Sequence, residues 1–207
     1  MSKNTVFIEH GNHQYQMLFI KLGYTVVHDP DDADIICFTG GSDVSPHMYG
    51  DAQHPLTASN AYRDAKEERL FVEAQAHGKK CVGICRGAQF LNVMSGGRMY
   101  QHVEKHTQSH YITDHETGEV VYVTSTHHQM MLPGEGAEVV ATSNLKGKRE
   151  WYDGQVARKD VSDEDYEVVY YPLTNSLCFQ PHPEFTGEDC EQMFHYFGSL
   201  LKRFLKV

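Results

Sequence analysis

The sequence predicts an α/β fold: a mostly parallel central sheet with helices on both faces, forming a three-layer sandwich, and extra β-hairpins in the C-terminal half. Two patterns predict it. In the first half, short apolar segments typical of buried strands alternate with segments whose apolar residues recur at helical spacing, which indicates parallel strands joined by helices. In the second half, strand-like segments follow one another with only turns between them, which indicates antiparallel hairpins.

The strands of the parallel part are predicted at residues 5–9, 25–28, 34–39 and 80–84, and the helices at 15–22, 63–76 and 88–94. Residues 34–39 form a nearly continuous apolar run that stops at a pair of glycines, as expected for a strand buried on both faces. Further along, strands are predicted at 120–125, 137–142, 168–172 and 176–180, an exposed loop at 144–165, and an amphipathic helix at 188–205. The last two strands are expected to form a hairpin.

Length, charge and cysteine content narrow the class of protein. The 207 residues fit a single domain spanning 1–207. A net charge of −10 argues against a nucleic-acid binder, because such binding depends on clustered Lys and Arg. No apolar run approaches the ~20 residues that span a membrane, and the N-terminal segment lacks the apolar stretch of a signal peptide. The five cysteines are odd in number and scattered, as in reduced intracellular proteins, so a cytoplasmic location is expected.

The most informative motif is Gly83-Ile84-Cys85-Arg86-Gly87, which lies between a predicted buried strand and a predicted helix. A nucleophile at such a sharp turn stands at the carboxyl end of the sheet, and small residues two positions before and after it avoid backbone clashes. The N-terminus of the following helix favours a thiolate at Cys85. Taken alone, the motif fits a buried structural cysteine equally well.

A candidate base for this nucleophile occurs late in the chain, in Gln180-Pro181-His182-Pro183-Glu184. His182 can act as the base and Glu184 can fix its tautomer, as in any nucleophile–histidine–acid triad. A surface histidine beside an unrelated glutamate is the alternative. The pair Gly40-Gly41, at the end of a buried strand, lies at the sheet edge where open α/β sheets bind ligands. A backbone N–H exposed there can complete an oxyanion hole, although a plain tight turn also explains the glycines.

Together these segments resemble the class I glutamine amidotransferase superfamily, and within it the γ-glutamyl hydrolase (peptidase C26-like) branch, which includes enzymes that cleave γ-glutamyl-γ-aminobutyrate. The resemblance lies in GGSDVSP at 40–46 with YG at 49–50, RD at 63–64, GICRGAQFLNVMSGGRMYQHV at 83–103, STHHQ at 125–129 and QPHPE at 180–184. It implies a flavodoxin-like sandwich of the kind that this superfamily shares.

The resemblance also implies the catalytic groups. Cys85 is expected to be the nucleophile, His182 the general base and then the general acid, and Glu184 the group that orients His182. The backbone N–H groups of Gly41 and Arg86 are expected to form the oxyanion hole.

For substrate binding, Gln89 resembles the side chain that helps hold the glutamyl moiety. The His127-His128 segment resembles the strand edge that contacts the α-amino and α-carboxylate groups of the substrate, largely through its backbone.

The segment 102–118 is rich in histidine, which is a departure from the family. His106 and His110 have the i, i+4 spacing that binds a metal when it occurs on a helix. No cysteine or tight carboxylate cluster accompanies them and the segment is not predicted to be helical, so no metal ligand is expected. Solvated or substrate-facing histidines are the alternative. Together with Arg86, they indicate a polar pocket for the leaving group.

Three functions are compatible with the sequence. The resemblance favours a cysteine-nucleophile amidase that hydrolyses glutamine or a small-molecule γ-glutamyl conjugate through a thioester, without a cofactor. The alternative is a glutaminase subunit that delivers ammonia to a partner synthetase, which the short chain and the lack of a Gly-x-x-x-x-Gly-Lys-Ser/Thr nucleotide motif favour. The third is a non-catalytic binding protein, against which the intact Cys/His/Glu set argues.

Overall fold

A computed structural model describes residues 4–206, so residues 1–3 of the N-terminal segment and residue 207 lie outside the described part. The described chain forms four α-helices: α1 (His13–Lys21), α2 (Ala61–Ala76), α3 (Arg86–Met94) and α4 (Glu191–Leu200). Its strands are β1 (Thr5–Glu9), β2 (Thr25–Val27), β3 (Ile35–Phe38), β4 (Lys80–Ile84), β5 (Arg98–Tyr100), β6 (His102–Val103), β7 (His110–Asp114), β8 (Val120–Val123), β9 (Met130–Leu132), β10 (Glu138–Ser143), β11 (Lys148–Asp153), β12 (Val156–Val161), β13 (Asp165–Tyr171) and β14 (Ser176–Phe179).

Nine of these strands form the central sheet, in the order β2-β1-β3-β4-β14-β13-β10-β7-β8. The first five run parallel, and the last four are added antiparallel. Strands β3, β4 and β14 are almost entirely buried, which explains why their sequences are continuous apolar runs instead of alternating ones. The predicted hairpin between β13 and β14 is present.

The helices cover both faces of the sheet. Side chains of α1 and α4 pack with one face in one hydrophobic cluster, and side chains of α2 and α3 pack with the other face in a second cluster. The predicted three-layer α/β sandwich is therefore confirmed. No helix within residues 4–206 is both long enough and apolar enough to cross a membrane.

The predicted exposed loop at 144–165 is wrong, because β11 and β12, each of six residues, form a hairpin there and β11 also pairs with β6. The side chains of β12 are nearly all exposed, so the segment has no buried apolar face and its sequence gives no strand signal. Its register is held by Arg149, which contacts Asp160 across the hairpin, and by Trp151, which packs edge-on against Tyr100. The predicted helix at 188–205 is also not α-helical throughout, because α4 ends at Leu200 and continues as a π-helical turn at Leu201–Leu205.

Candidate active site

Cys85 occupies a strained turn between β4 and α3. Its backbone has φ 53° and ψ −112°, a left-handed conformation that is rare outside glycine. Its N–H donates to the carbonyl oxygen of Phe179 on the neighbouring strand at 2.9 Å, which fixes the turn to the sheet. The side chain therefore stands at the carboxyl end of the parallel strands, directly before the N-terminus of α3. That terminus stabilises negative charge on the sulfur.

Two glycines permit this turn. A Cβ atom added at Gly83 would overlap the carbonyl group of Gly87, and a Cβ atom added at Gly87 would overlap the carbonyl group of Phe38 on β3. Helix α3 therefore crosses β3 and β4 at a distance that only glycine allows. The pattern of small residues on either side of Cys85 has this steric cause.

His182 follows β14, the strand next to β4, and faces the same edge of the sheet. Its Nδ1 lies 2.7 Å from Oε1 of Glu184, and both side chains are buried. Because a carboxylate only accepts hydrogen bonds, Nδ1 of His182 is the donor. The other ring nitrogen, Nε2, points away from Glu184. The ring is stacked on Phe185, with centroids 4.7 Å apart.

Cys85 and His182 both lie next to Gly40. A Cβ atom added at Gly40 would lie 3.3 Å from Cε1 of His182 and 3.7 Å from Cβ of Cys85. Three segments that are far apart in the sequence therefore meet around this one glycine.

The protonation of His182 depends on its neighbours. Burial by itself lowers the pKa of His182, but hydrogen bonding and the negative charge of Cys85 and Glu184 outweigh burial and raise this pKa to about 10. At neutral pH the ring is therefore an imidazolium as long as a negatively charged sulfur stands beside it. The Nε2 atom also lies 3.0 Å from the hydroxyl oxygen of Thr126.

The loop after β3 is held by Arg63 of α2. The guanidinium donates to the carbonyl oxygens of Thr39 and Gly40, each at 2.9 Å, while the N–H of Gly40 donates to the hydroxyl of Tyr15 at 3.1 Å. Gly41, with φ 148°, lies so close to the guanidinium that a Cβ atom would overlap it. No described residue accepts a hydrogen bond from the Gly41 N–H, which leaves this group for a ligand.

The Arg86 side chain, predicted to help form a polar pocket for the leaving group, has its guanidinium engaged by α2. It is buried against α2, where it forms ion pairs with Asp64 and Glu67. Burial and the positive charge of Arg63, opposed by Asp64 and Asp43, lower the pKa of Arg86 to about 10. Glu67 also accepts from Arg63 at 2.7 Å, so one carboxylate joins the elbow and the loop after β3. The Arg86 N–H, in the first turn of α3, has no acceptor within the helix.

A cavity of about 130 Å³ lies at the meeting point of these segments. Its walls include seven of the eight residues predicted from the sequence: Cys85, His182, Gly41, Arg86, Gln89, His127 and His128. Glu184 stands behind His182. The cavity is smaller than the roughly 300–1,000 Å³ of sites for drug-sized ligands. A larger cleft of about 700 Å³ between α1 and α4 touches Glu184 but neither Cys85 nor His182.

The side chains of the three residues predicted to bind substrate face different partners. Gln89 uses its amide nitrogen within the protein, donating to the carbonyl oxygen of Gln129 at 3.0 Å. The His127 ring is buried and turned away toward Glu167. His128 is partly exposed, and its Nε2 lies 3.2 Å from Oδ1 of Asp43, a hydrogen bond that raises the pKa of His128.

Comparison with known proteins identifies the family. The Peptidase C26 profile matches residues 26–137, just over half of the chain, including the elbow and the loop after β3. The chain belongs to the Peptidase C26 family. Over 204 aligned residues it is 31% identical to the glutamine amidotransferase-like protein YvdE of Lactococcus lactis subsp. lactis, covering 83% of this chain and 79% of that protein. It is 36% identical over 104 residues to protein NtpR of Enterococcus hirae, covering 50% of this chain and 43% of that protein.

Solved structures show the fold of this Peptidase C26 protein in other chains. A chain in the structure of PurLQS from Thermotoga maritima has a TM-score of 0.63 at 21% identity, covering 98% of this chain and 100% of that chain. A glutamine amidotransferase from the same organism has a TM-score of 0.59 at 14% identity, covering 98% and 85%. The superfamily resemblance is therefore confirmed, and the protein is glutamine amidotransferase-like, of the class that hydrolyses carbon–nitrogen bonds.

Three residues at the site of this Peptidase C26 protein were not predicted: Thr126, Asp43 and Arg63. Each lies within a segment that carries the family resemblance, but its contact comes from another part of the chain. Only Arg63 gave a signal that could have been used, since an arginine four positions before a glutamate on a helix indicates an ion pair.

Proposed function

We propose that this protein is a self-sufficient cysteine amidase that hydrolyses the γ-amide bond of glutamine or of a γ-glutamyl conjugate. One observation carries the proposal. Cys85, at a strained turn before a helix N-terminus, and His182, held by Glu184, line the same small cavity as the backbone of Gly41 and Arg86.

In the first half of the reaction, the Cys85 thiolate attacks the γ-carbonyl carbon and a carbon–sulfur bond forms. The carbonyl oxygen takes the negative charge and is bound by the N–H groups of Gly41 and Arg86. As the tetrahedral intermediate collapses, the carbon–nitrogen bond breaks and the His182 imidazolium gives its proton to the leaving amine. A γ-glutamyl thioester remains on Cys85.

In the second half, water attacks the thioester carbon. The pKa of His182 supports this step, because the charge on Cys85 is one of the groups that raise it and acylation removes that charge. His182 is therefore a proton donor before acylation and a proton acceptor after it. It takes a proton from water, the carbon–sulfur bond breaks, glutamate leaves, and the thiolate–imidazolium pair returns.

The anchored loop after β3 favours activity without a partner protein. Amidotransferase subunits often need a partner to order their oxyanion loop, whereas here Arg63 and Tyr15 hold that loop from within the chain. Transition-state stabilisation depends on donors that are fixed before the reaction begins.

The alternative is a glutaminase subunit that delivers ammonia to a synthetase. The similarity over the whole length of a chain of PurLQS supports this alternative, although at 21% identity it extends to the fold alone. A subunit of this kind would release glutamate slowly by itself and faster with its partner.

Glutamate release separates the two functions. The purified protein is incubated with glutamine, γ-glutamyl-γ-aminobutyrate, a γ-glutamyl peptide and a γ-glutamyl polyamine, with Cys85→Ala as the control. We expect the wild type, alone, to cleave at least one conjugate faster than glutamine, and the variant to cleave none. Negligible release from all four substrates by the wild type alone, with strong glutaminase activity after addition of a synthetase, would replace the hydrolase by the subunit.

A further inference from the structure

A group of buried histidines and carboxylates lies beside the active-site cavity and has no part in the proposed chemistry. It contains His106, between β6 and β7; His110, on β7; His127; and Asp165 and Glu167, on β13. Each of the five residues is at most 6% exposed. We refer to these five residues as the buried histidine cluster. The histidines of the segment 102–118 were predicted to be solvated or substrate-facing, which is wrong for His106 and His110 because both are buried.

The hydrogen bonds of His127 fix the position of its lone pair. Nδ1 lies 2.8 Å from the carbonyl oxygen of Gln129, and because a carbonyl only accepts, Nδ1 carries the hydrogen. In the neutral ring, Nε2 is then an acceptor. It lies 3.8 Å from Oε2 of Glu167, and neither atom has a hydrogen-bond partner among residues 4–206. Two buried acceptors that face each other are stabilised only if positive charge lies between them.

His106 supplies a third atom of the same kind. Its Nδ1 is 3.2 Å from Oε1 of Glu167 but makes no hydrogen bond within the described chain. One ligand atom from each of His106, His127 and Glu167 lies within 4.8 Å of the other two. Bonds of about 2.0–2.2 Å in a tetrahedral zinc site place ligand atoms roughly 3.4 Å apart. The two histidines approach different oxygens of the Glu167 carboxylate: His106 Nδ1 lies 3.2 Å from Oε1 and His127 Nε2 lies 3.8 Å from Oε2, and each separation is close to this spacing.

The remaining members of the cluster occupy the positions of outer-shell partners. Nε2 of His106 is 3.3 Å from Oδ2 of Asp165, without a hydrogen bond between the two atoms. His110 donates from Nδ1 to the carbonyl oxygen of Gln108 at 3.0 Å and from Nε2 to Oε1 of Glu167 at 2.9 Å. A histidine ligand commonly directs its second nitrogen to a carboxylate, and a ligating carboxylate commonly accepts a further hydrogen bond.

We propose that His106, His127 and Glu167 bind one zinc ion, which braces the segment 125–129 against β13. Two imidazoles and a carboxylate form a donor set that zinc takes readily. No metal ligand was expected here because no cysteine or tight carboxylate cluster accompanies His106 along the sequence, but the fold brings Glu167 from a distant strand. The site has a structural role, since it holds the segment from which Thr126 reaches His182.

The alternative to a metal ion is a proton on His106, which would also compensate the negative charge of Asp165 and Glu167. That proton would leave the lone pair of His127 Nε2 facing Oε2 of Glu167 with no hydrogen between them, whereas a metal ion satisfies all three atoms together. The two arrangements differ in one measurable quantity, the amount of zinc bound to each chain.

Because the ligands are buried, the ion must enter during folding, and the test starts from unfolded protein. The full-length wild type is denatured with a chelator and refolded with or without ZnCl₂. Zinc per chain is measured by elemental mass spectrometry after gel filtration, together with the midpoint of thermal unfolding. We expect one zinc per chain and a higher midpoint after refolding with zinc. Wild-type protein that retains no zinc and unfolds at the same midpoint in both preparations would overturn the proposal.

Two variants locate the ion. Glu167→Gln keeps the side-chain size but removes the anionic ligand, so it should lose the bound zinc and the zinc-dependent rise in the midpoint. His102→Gln is the control, because the His102 ring belongs to a surface group with His54 and His128 that also could collect zinc. Zinc retained by Glu167→Gln and lost by His102→Gln would overturn the assignment. If Glu167→Gln does not fold, His106→Gln takes its place, and the wild-type comparison decides independently of both.

Discussion

At the scale of single residues, the proton on His182 depends on the sulfur of Cys85. Burial alone lowers the pKa of His182, and the two neighbours raise it to about 10. Since this folded-state pKa lies above the unfolded value of 6.5, the interaction contributes stability that is fully present below pH 6.5 and is lost as the pH rises toward about 10. In the proposed reaction, the same interaction supplies the proton that the leaving amine needs.

Cys85→Ala tests this dependence. The substitution removes the negative sulfur, so the pKa of His182 should fall, and the stabilising contribution of its imidazolium should disappear at a lower pH than in the wild type. Titration of the His182 ring by NMR in both proteins measures the shift. An unchanged pKa would mean that Glu184 alone sets the protonation of His182.

Thr126 is a second residue that contacts His182, because its hydroxyl lies beside Nε2, the nitrogen that transfers the proton in the proposed reaction. Thr126→Val keeps the shape of the side chain and removes this contact, and it should lower kcat about 2- to 10-fold, the net contribution of one typical hydrogen bond. Thr126→Ser keeps the hydroxyl and should retain wild-type kcat. Equal loss in both variants would indicate a packing role for the methyl group of Thr126 instead.

At the scale of elements, α2 connects the turn at Cys85 to the loop after β3. Its residues Asp64 and Glu67 bind Arg86 at the start of α3, and its Arg63 binds the carbonyl groups of Thr39 and Gly40. Buried ion pairs and hydrogen bonds made by α2 therefore hold both segments in place.

Arg63→Gln loosens this connection. The loop should then hold the Gly41 N–H less firmly, and kcat should fall roughly 10- to 100-fold, less than the 10²–10³ expected when an oxyanion donor is removed outright. Arg69→Gln is the matched control on the same helix, because Arg69 is exposed. Steady-state kinetics of the two variants measure the effect. Similar kcat values for Arg63→Gln and Arg69→Gln would show that the loop does not need this anchor.

Elements that bury a continuous apolar run could be predicted from the sequence, and elements that do not were missed. Strand β4 was predicted with its observed bounds because its residues form a nearly continuous buried run. Strands β11 and β12 expose charged side chains, so their sequence resembles that of a loop. The direction of the Arg86 side chain depends on carboxylates of α2, and the partners of His106 lie on β13. Such long-range pairs leave no local pattern in the sequence.

At the scale of the whole molecule, the strand order assembles the site. Strands β4 and β14 are parallel neighbours in the sheet although about half of the chain separates them, so Cys85 and the segment with His182 emerge at the same edge. The remaining cysteines lie elsewhere: burial raises the pKa of Cys81 to about 12, raises that of Cys190, and raises those of Cys37 and Cys178 well above the ordinary range. Among the five thiols, Cys85 is therefore the one that we propose as the nucleophile.

Covalent labelling tests this central claim most directly. The wild type is treated with 6-diazo-5-oxo-norleucine, a glutamine analogue with an electrophilic carbon, and the adduct is located by intact-mass measurement and peptide mapping. We expect one adduct per chain, on Cys85, with loss of glutamate release in proportion to labelling, and no adduct on Cys85→Ala. An adduct on Cys37, Cys81, Cys178 or Cys190, or full activity in protein labelled at Cys85, would contradict the account.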